Sequence, residues 1–268
     1  MPYDKITSLT NSRIKHVVQL RNRKQRVEDG LTVVEGAREM TRAFEAGVVF
    51  KELYICVPLF EASQEVHLLV EKLTLKKIPV YETTQAVFSK ISYGNRSEGI
   101  LAVCAPRPVT FKNFSSKDLS LFVVVERVEK PGNLGAILRT CDGAGIDGVI
   151  ICDGKTDIYN PNVIRASLGT IFSVKTVVSS NTEALKFLRS KNIKICVTLP
   201  RAKTVYTKAK LTSTLAVVVG SEQSGLTDFW AEHADLKVKI PMRGFADSLN
   251  VSACTAILLY EAIRQRSN

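Results

Sequence analysis

The sequence predicts two α/β domains, and the C-terminal one should contain a mostly parallel sheet. Apolar runs rich in Val and Ile alternate with helix-period segments from residue 119 onward. These runs are apolar on both faces, as in strands that helices cover on both sides. A stretch rich in Pro, Ser, Asn and Lys at 105–120 separates them from the first half. We therefore expect a small α/β domain at 1–107, a linker at 108–118 and a second domain at 119–268.

The first half alternates between the two periodicities. Helices are predicted at 11–26, 37–47, 63–73 and 83–91, where apolar residues recur at helical spacing. Strands are predicted at 31–36, 51–57, 78–81 and 99–105.

The second half is a more regular alternation. Strands are predicted at 121–126, 148–152, 173–178, 193–199, 214–220 and 236–240, with helices at 134–145, 161–168, 182–191, 226–233 and 249–266. In parallel sheets ligands bind beyond the carboxyl ends of the strands. Three segments with Gly, Asn or Ser begin at or just after such strand ends, at 129–140, 217–226 and 240–262.

The charge of the chain suits a polyanionic partner, DNA or RNA, but by itself it fits a basic soluble protein without such a partner about equally well. The 37 basic residues exceed the 26 acidic ones and give a formal net charge of +11. Seven basic residues and no acidic one lie between positions 5 and 26, and we expect this run to contact phosphates; a solvated helix face is the simpler alternative. The run comprises Lys5, Arg13, Lys15, Arg21, Arg23, Lys24 and Arg26.

Several classes of protein are disfavoured. The six cysteines form no CxxC pair and no histidine has metal-ligand spacing, so we expect reduced buried thiols and no metal site. None of the three histidines belongs to a hydrolase motif. The N-terminus has no apolar signal core and no run reaches membrane-spanning length, which favours a cytoplasmic protein.

The first polar segment, EKPGNLGAILRT, follows the strand that ends at Glu126. Asn133 is a candidate N-cap for a helix that begins at Leu134, and Arg139 follows it within that helix. A helix N-terminus with an arginine nearby suits a phosphate or a ribose. By itself, however, the segment is more typical of a capped helix with a surface arginine, because NxG before a helix is common.

The other two segments have similarly ordinary alternatives. GSEQSG (220–225) lacks the lysine of a Walker loop and is not GxGxxG, so alone it indicates a plain strand–helix loop. The third segment leads through Pro241 into a long apolar helix, and Ser248 and Asn250 supply more polar groups at its start than capping needs. The small side chains of that helix permit a close partner helix, and hence a dimer.

Together the segments resemble the three motifs of the SpoU (TrmH-like) branch of the SPOUT RNA methyltransferases. The first is similar to N-x-G-A-I-x-R-T, the second to V-x-G-x-E-x-x-G-L and the third to I-P-M-x-G-x-x-x-S-L-N-V-S-x-A. Residues 157–172, DIYNPNVIRASLGTIF, resemble members that act on ribosomal RNA. The first half resembles, less sharply, the small substrate-binding domain of ribosomal-protein type that precedes many catalytic domains of this family.

The resemblance implies a deep trefoil knot at the C-terminal end, a homodimer, and methyl transfer from S-adenosylmethionine to a ribose 2′-hydroxyl. It assigns cofactor binding to the positions of Leu199, Gly220, Ile240, Ser248 and Leu249. It assigns the reaction to those of Asn133, Arg139, Glu222, Ser248 and Asn250.

We interpret Arg139 as an electrostatic stabiliser, because a guanidinium is a poor general base. Asn133 would orient the ribose or Arg139. Arg139 and Arg165 join the N-terminal run as expected RNA contacts. Ribosomal RNA is the favoured substrate; transfer RNA and a non-catalytic RNA-binding role remain the alternatives.

Overall fold

A computed structural model of the chain describes residues 3–60, 63–93, 98–115, 117–154, 156–221 and 224–267. Within these residues the strands are β1 (Asp4–Ile6), β2 (Thr32–Glu35), β3 (Val49–Ile55), β4 (Val80–Thr83), β5 (Ile100–Ala105), β6 (Leu121–Glu126), β7 (Gly148–Cys152), β8 (Thr176–Ser179), β9 (Lys194–Thr198), β10 (Thr204–Val205), β11 (Leu215–Val219) and β12 (Leu236–Lys239).

The helices of the same residues are α1 (Ser12–Gln19), α2 (Arg23–Asp29), α3 (Ala37–Glu45), α4 (Val57–Phe60), α5 (Gln64–Leu75), α6 (Gln85–Ile91), α7 (Pro131–Gly143), α8 (Pro161–Ala166), α9 (Asn181–Ser190), α10 (Asp228–Glu232) and α11 (Val251–Arg266). Short 3₁₀ turns lie at Phe111–Asn113 and Tyr206–Lys208.

The chain forms two compact units. The first contains residues 1–108 together with 159–173, and the second contains 109–158 together with 174–268. The first unit has a mixed sheet with the order β1-β4-β3-β5-β2, in which β5 runs antiparallel to both of its neighbours. Its core lies between this sheet and α1 and α6.

Specific contacts attach residues 159–173 to the rest of the first unit. The hydroxyl of Thr32 in β2 donates to the carbonyl of Tyr159 at 2.7 Å, and Arg42 in α3 donates to the carbonyl of Leu168 at 2.6 Å. Gly169 has φ +81, and a Cβ there would lie 2.9 Å from the Cα of Glu39. Only glycine therefore permits this close approach of the segment to α3.

The second unit confirms the predicted parallel α/β sheet. Its strand order is β10-β12-β9-β11-β6-β7-β8, and every pairing between the described strands is parallel. Each residue of β6, β7 and β11 is buried, because helices cover both faces. The trefoil knot that the resemblance implies stays a prediction.

Three local predictions were wrong or shifted. The predicted helix 11–26 is two helices, because the side chain of Asn22 accepts from the amide of Lys24 and caps α2 separately. The helix predicted at 134 begins at Pro131, which fits the first helical position because proline lacks an N–H. Asn133 is consequently a residue of the first helical turn and not the N-cap.

The predicted linker contributes to a core. Phe114 is 7% exposed and packs against Phe122 and Phe187 of the second unit, and Phe111 stacks on Phe187 with ring centroids 4.7 Å apart. Burying each aromatic ring stabilises this unit by about 2 kcal/mol. Among the described residues, no helix is both long and apolar enough to cross a membrane.

Candidate active site

Three strands end side by side at one edge of the second unit's sheet. β9 pairs with β11 on one side and with β12 on the other, and all three run in the same direction. The chain leaves them after Thr198, Val219 and Lys239. Since the carboxyl ends of parallel strands meet at one edge, the segments that follow come together there.

These segments enclose a cavity of about 720 Å³. Every residue that the resemblance assigns to cofactor binding lines it: Leu199, Gly220, Ile240, Ser248 and Leu249. The remaining lining residues are Thr198, Pro200, Val219, Ser221, Ser224, Gly225, Leu226, Lys239, Pro241, Met242, Asp247, Val251 and Cys254. The walls are therefore largely apolar, with a few hydroxyls, the carboxyl of Asp247 and the amine of Lys239.

The loop after β11 is closed by its own hydrogen bonds. Ser221 and Gly225 exchange backbone hydrogen bonds of 3.1 and 2.9 Å, and the hydroxyls of Ser221 and Ser224 lie 2.7 Å apart. A Cβ on Gly220 would lie 2.3 Å from the carbonyl group of Gly225. This position accepts no side chain, so backbone forms the wall of the cavity there. Glu222, predicted to line the site, lies outside the described residues.

The far end of the same loop is fixed by a buried carboxylate. Glu126, the last residue of β6, is fully buried and accepts from the amide of Thr227 at 2.8 Å and from its hydroxyl at 2.7 Å. It also accepts from the side chain of Asn181 at 2.7 Å. A buried carboxylate is tolerated because these donors satisfy it. It sets where the loop ends and α10 begins.

One wall of the cavity carries an unsatisfied polar atom. The hydroxyl oxygen of Thr198 is buried and has no hydrogen-bond partner among the described residues. A buried hydroxyl without a partner costs about 1–3 kcal/mol. Because Thr198 also lines the cavity, its hydroxyl is a candidate contact for a polar ligand.

The third segment reaches α11 through Asn250. Its side-chain oxygen accepts from the amide of Ser252 at 2.9 Å and from the hydroxyl at 2.6 Å, so Asn250 caps the helix. Its side-chain nitrogen donates to Oδ1 of Asn133 at 3.1 Å. The first and third segments are thus joined by a side-chain contact, while α7 packs against α11.

Arg139 does not reach the cavity of its own chain. It lies on an exposed face of α7 and is absent from the residues that line the cavity. Its guanidinium has no hydrogen bond or ion pair with any residue that the structure describes. The single chain therefore brings together the predicted cofactor residues and joins Asn133 to Asn250, but it leaves Arg139 outside.

The comparison with known families agrees with this geometry. A model described as the SpoU rRNA Methylase family matches residues 120–260, which contain the whole cavity. The chain belongs to the SpoU rRNA methylase family. A second model, the MRM3-like substrate binding domain, matches residues 11–102.

Individual SpoU relatives span most of the chain. RlmB of Escherichia coli strain K12, a 23S rRNA (guanosine-2'-O-)-methyltransferase, is 31% identical over 77% of this chain and 92% of its own. The crystal structure of an RNA 2'-O ribose methyltransferase, 37% identical, covers 98% of this chain and 100% of its own with a TM-score of 0.88. The AdoMet-bound rRNA methyltransferase from Sinorhizobium meliloti, 27% identical, covers 98% of each chain with a TM-score of 0.89.

Acidic residues neutralise part of the N-terminal basic run of this SpoU chain, although the run itself contains no acid. Lys5 pairs with Glu82 at 3.2 Å, Arg13 pairs with Glu52, and Lys24 pairs with Glu28 at 3.8 Å. Arg13 also lies 4.7 Å from the ring centroid of Tyr81. Strands β3 and β4 supply acids that are distant in sequence. Lys15 and Arg23 are exposed.

Arg26 was wrongly included in that run as a phosphate contact. It is 5% exposed, and its guanidinium donates to the carbonyls of Leu20 and Arg21 at 2.7 and 2.8 Å. These carbonyls lie at the break between α1 and α2, where helical partners are missing. Arg26 therefore stabilises the two-helix corner and cannot reach a phosphate.

Arg21 and Arg165 meet at Tyr93 in the first unit. Arg165 donates to the carbonyl of Tyr93 at 3.0 Å, and Arg21 donates to the carbonyls of Lys90 and Ser92 at 2.8 Å each. Both arginines are exposed, although part of their hydrogen-bonding capacity is used on the backbone. The segment that contains Arg165 belongs to this unit and not to the cavity.

Sequence reasoning missed three kinds of residue in this SpoU site. Thr198 is the last residue of a strand, so the carboxyl-end rule alone could have indicated it. Asp247 stands inside the third segment at a position without a motif letter, and Met242 is the methionine of I-P-M but was given no role in the site. Cys254 lies one turn into α11, and burial raises the pKa of its thiol, so it contributes an apolar surface to the cavity.

Proposed function

We propose that this chain transfers a methyl group from S-adenosylmethionine to a ribose 2′-hydroxyl of ribosomal RNA. The observation that carries the proposal is the cavity at the carboxyl edge of the parallel sheet. It is built from the second and third family segments and from the end of β9, and the Asn133–Asn250 hydrogen bond ties the first segment to it.

The residues present fit the cofactor. A volume of about 720 Å³ lies in the range of small-molecule sites, which are mostly apolar with a few placed polar groups. The buried hydroxyl of Thr198 needs a partner, and Gly220 leaves backbone open to a ligand. The S. meliloti relative was solved with AdoMet and shares the fold over nearly its whole length. Loops 199–200, 220–226 and 240–249 would hold the cofactor.

When bound, the cofactor supplies a methyl group that its sulfonium has already activated. The chain's own residues then have to hold the acceptor in line and stabilise its developing charge. Asn250, held by the α11 cap, and Asn133 would position polar groups of the ribose. Ser248 lies in the cavity wall and is exposed to it.

Arg139 would act in the active site of a partner subunit. It is exposed on α7 and does not line the cavity of its own chain, whereas the family motif assigns it to the reaction. A two-fold assembly in which α7 of one chain faces the cavity of the other satisfies both observations. The guanidinium would bind the adjacent phosphate and stabilise the developing alkoxide.

Ribosomal RNA is favoured over transfer RNA as the substrate, because relatives named for rRNA match most of the length of this chain. The S. meliloti protein and RlmB, both named for rRNA, match 98% and 77% of this chain, which is more than its catalytic half. We propose that the N-terminal unit binds the substrate RNA. In a bacterium this reaction would take place in the cytoplasm. A non-catalytic scaffold is disfavoured, since it would not need Asn133, Arg139, Ser248 and Asn250 at these positions.

Single-turnover transfer of labelled methyl to a ribosomal RNA fragment tests the proposal. The target is first mapped by comparing 2′-O-methylation in cells with and without the gene. Arg139→Ala should lower transfer about 100- to 1,000-fold and leave cofactor affinity nearly unchanged. Arg139→Lys should restore only part, since it loses the two-pronged donor.

The control is RNA with a 2′-deoxyribose at the mapped nucleotide, which should yield no product. Methylation of that RNA would refute the ribose assignment. Transfer by Arg139→Ala at the wild-type rate would refute its role. Transfer to tRNA but not to rRNA would establish the alternative substrate.

A further inference from the structure

A second groove lies beside the proposed cofactor cavity in the same unit. It has a volume of about 860 Å³ and shares Leu199, Pro200 and Leu226 with the cavity. Its other walls are the segment after β9 and the surfaces of α10 and β12, contributed by Arg201, Ala202, Lys203, Thr204, Lys208, Ala209, Lys210, Asp228, Ala231, Asp235, Leu236, Lys237 and Val238.

The groove is strongly basic. Arg201, Lys203, Lys208, Lys210 and Lys237 are all exposed in it, and none has an ion pair or hydrogen bond with a described residue. Four of them, all but Lys237, belong to a stretch, 184–221, that has eight basic residues and no acidic one.

Two acidic residues also line the groove, and one of them is neutralised. Both carboxylate oxygens of Asp235 accept from Arg189, at 3.0 and 2.8 Å, and one also accepts from the amide of Ile195 at 2.7 Å. Asp228 opens α10, where a carboxylate interacts favourably with the helix N-terminus. The five cations therefore dominate the field in the groove.

The backbone that carries these cations is anchored. Ala202, Ala209 and Leu211 are buried, and the amide of Leu199 donates to the carbonyl of Val238 at 2.9 Å. Gln265 in α11 donates to the carbonyl of Ala209 at 3.0 Å and accepts from the amide of Leu211 at 2.9 Å. Rigid placement lowers the entropy that the segment loses when it binds a ligand.

We propose that this groove binds the phosphate backbone of the substrate RNA next to the methylation site. The inference rests on the proposed function, because it takes RNA as the substrate. A row of unpaired cations on fixed backbone suits phosphates, and the shared wall places the bound strand next to the cavity. The N-terminal run is a poorer candidate, since Lys5, Arg13 and Lys24 would first have to leave their carboxylates.

The test compares two triple variants with the same change in charge. The groove variant is Lys203→Gln, Lys208→Gln, Lys210→Gln. The control is Lys175→Gln, Lys191→Gln, Lys194→Gln, three exposed lysines just before or at the start of β8 and β9, at the opposite edge of the sheet. Affinity for an unmodified rRNA fragment is measured by fluorescence anisotropy across a salt series, and cofactor affinity by calorimetry.

We expect the groove variant to reduce the slope of log affinity against log salt by about 2, since each single-strand phosphate contact contributes about 0.7. The control should keep the wild-type slope, and both variants should bind cofactor normally. Equal slopes in the two variants would overturn the proposal, because only net charge would then matter. Wild-type behaviour of the groove variant would overturn it too.

Methyl transfer at saturating RNA separates this inference from the proposed function. The groove variant should retain the wild-type single-turnover rate within about two-fold while it needs more RNA to reach it. A wild-type protein that binds RNA through the groove but transfers no methyl would refute the proposed function alone. A wild-type protein with full transfer and no groove dependence would refute this inference alone. A wild-type protein that binds no RNA would refute both.

Discussion

The side-chain amide of Asn250 donates a 3.1 Å hydrogen bond to Asn133, and this contact joins residues 117 positions apart in the chain. One partner caps α11 and the other lies in the first turn of α7. A polar contact therefore holds the starts of two packed helices together. The cavity lies beside this contact, and the first turn of α11 lines it.

Asn250 should show two separable contributions. Asn250→Ala removes the cap and the link, and should lower the free energy of unfolding by about 1–2 kcal/mol. Asn250→Asp keeps an oxygen for the amide of Ser252 but has no N–H to donate, so most of that loss should be recovered. A double-mutant cycle with Asn133→Ala, followed by urea unfolding, measures the link itself. A coupling free energy of zero would show that the contact contributes nothing.

Gly220→Ala should abolish cofactor binding. Its Cβ would lie 2.3–2.4 Å from backbone atoms of Gly225 and Leu226, so the loop has to move. Gly132→Ala is the matched control, because a Cβ there meets no atom within 4 Å. Calorimetry with S-adenosylmethionine should show no measurable heat for the first variant and wild-type affinity for the second. Unchanged affinity in a folded Gly220→Ala protein would contradict the loop's role.

Thr198→Val should weaken cofactor binding without weakening the fold. The substitution keeps the shape and removes a buried hydroxyl that has no partner among the described residues, so the free energy of unfolding should stay equal or rise by about 1 kcal/mol. Losing one hydrogen bond should raise the cofactor Kd about 2- to 10-fold. Ser213→Ala removes another buried hydroxyl of this kind away from the cavity, and it should leave the Kd unchanged. Equal Kd values for both variants would contradict the assignment.

Arg26 and Lys15 should separate folding from RNA contact. Arg26→Ala leaves the buried carbonyl of Leu20 and the partly buried carbonyl of Arg21 without this donor, and should lower the free energy of unfolding by about 2–3 kcal/mol. Lys15→Ala changes an exposed residue and should leave the unfolding curve where it is. Circular dichroism during urea unfolding checks both. A stable Arg26→Ala protein with weakened RNA binding would restore the phosphate role rejected above.

Glu35 should make stability depend on pH near neutrality. Burial raises the pKa of its carboxyl to about 7, against an ordinary value of 4.5, although the amide of Tyr93 donates to it. Between these values the folded state holds a proton that the unfolded state has lost, so stability falls as pH rises and the penalty is complete above about pH 7. Full conversion of the shift is about 3 kcal/mol, which partial exposure reduces to about 2 kcal/mol.

Glu35→Gln removes this dependence, because the amide does not titrate. Its free energy of unfolding relative to wild type should therefore increase between pH 5 and pH 7.5 by about 2 kcal/mol. Urea unfolding at both pH values measures the difference. Curves that shift in parallel would mean that the carboxyl titrates normally.

The sheet of the second unit could be predicted because each strand is recognisable from its own run of apolar residues. β11, and β6 up to Val125, are unbroken apolar runs, which are typical of a sheet covered on both faces. Parallel strand direction then places the following loops at one edge. That rule alone brings Leu199, Gly220 and Ile240 together. Their meeting needs no knowledge of side-chain conformation.

Long-range side-chain partners could not be predicted. Glu52 and Glu82 neutralise part of the N-terminal basic run, and they lie on strands β3 and β4, far from the run in sequence. The sequence does not decide where α7 begins, because Pro131 suits the first helical position and Asn133 suits the N-cap. The partnerless hydroxyl of Thr198 is a property of packing, since the same residue elsewhere would bond to a backbone carbonyl.

The return of residues 159–173 to the first unit has a consequence during translation. When the ribosome has released residue 108, β2 and α3 still lack the carbonyls of Tyr159 and Leu168, and Gly169 is not yet available to lie against α3. Residues 109–158 must be synthesised in between, and they include β6 and β7 of the other unit. The N-terminal unit therefore stays incomplete in the nascent chain until residues 159–173 have been synthesised. A fragment that ends at residue 108 would expose the surface that these residues cover in the full chain.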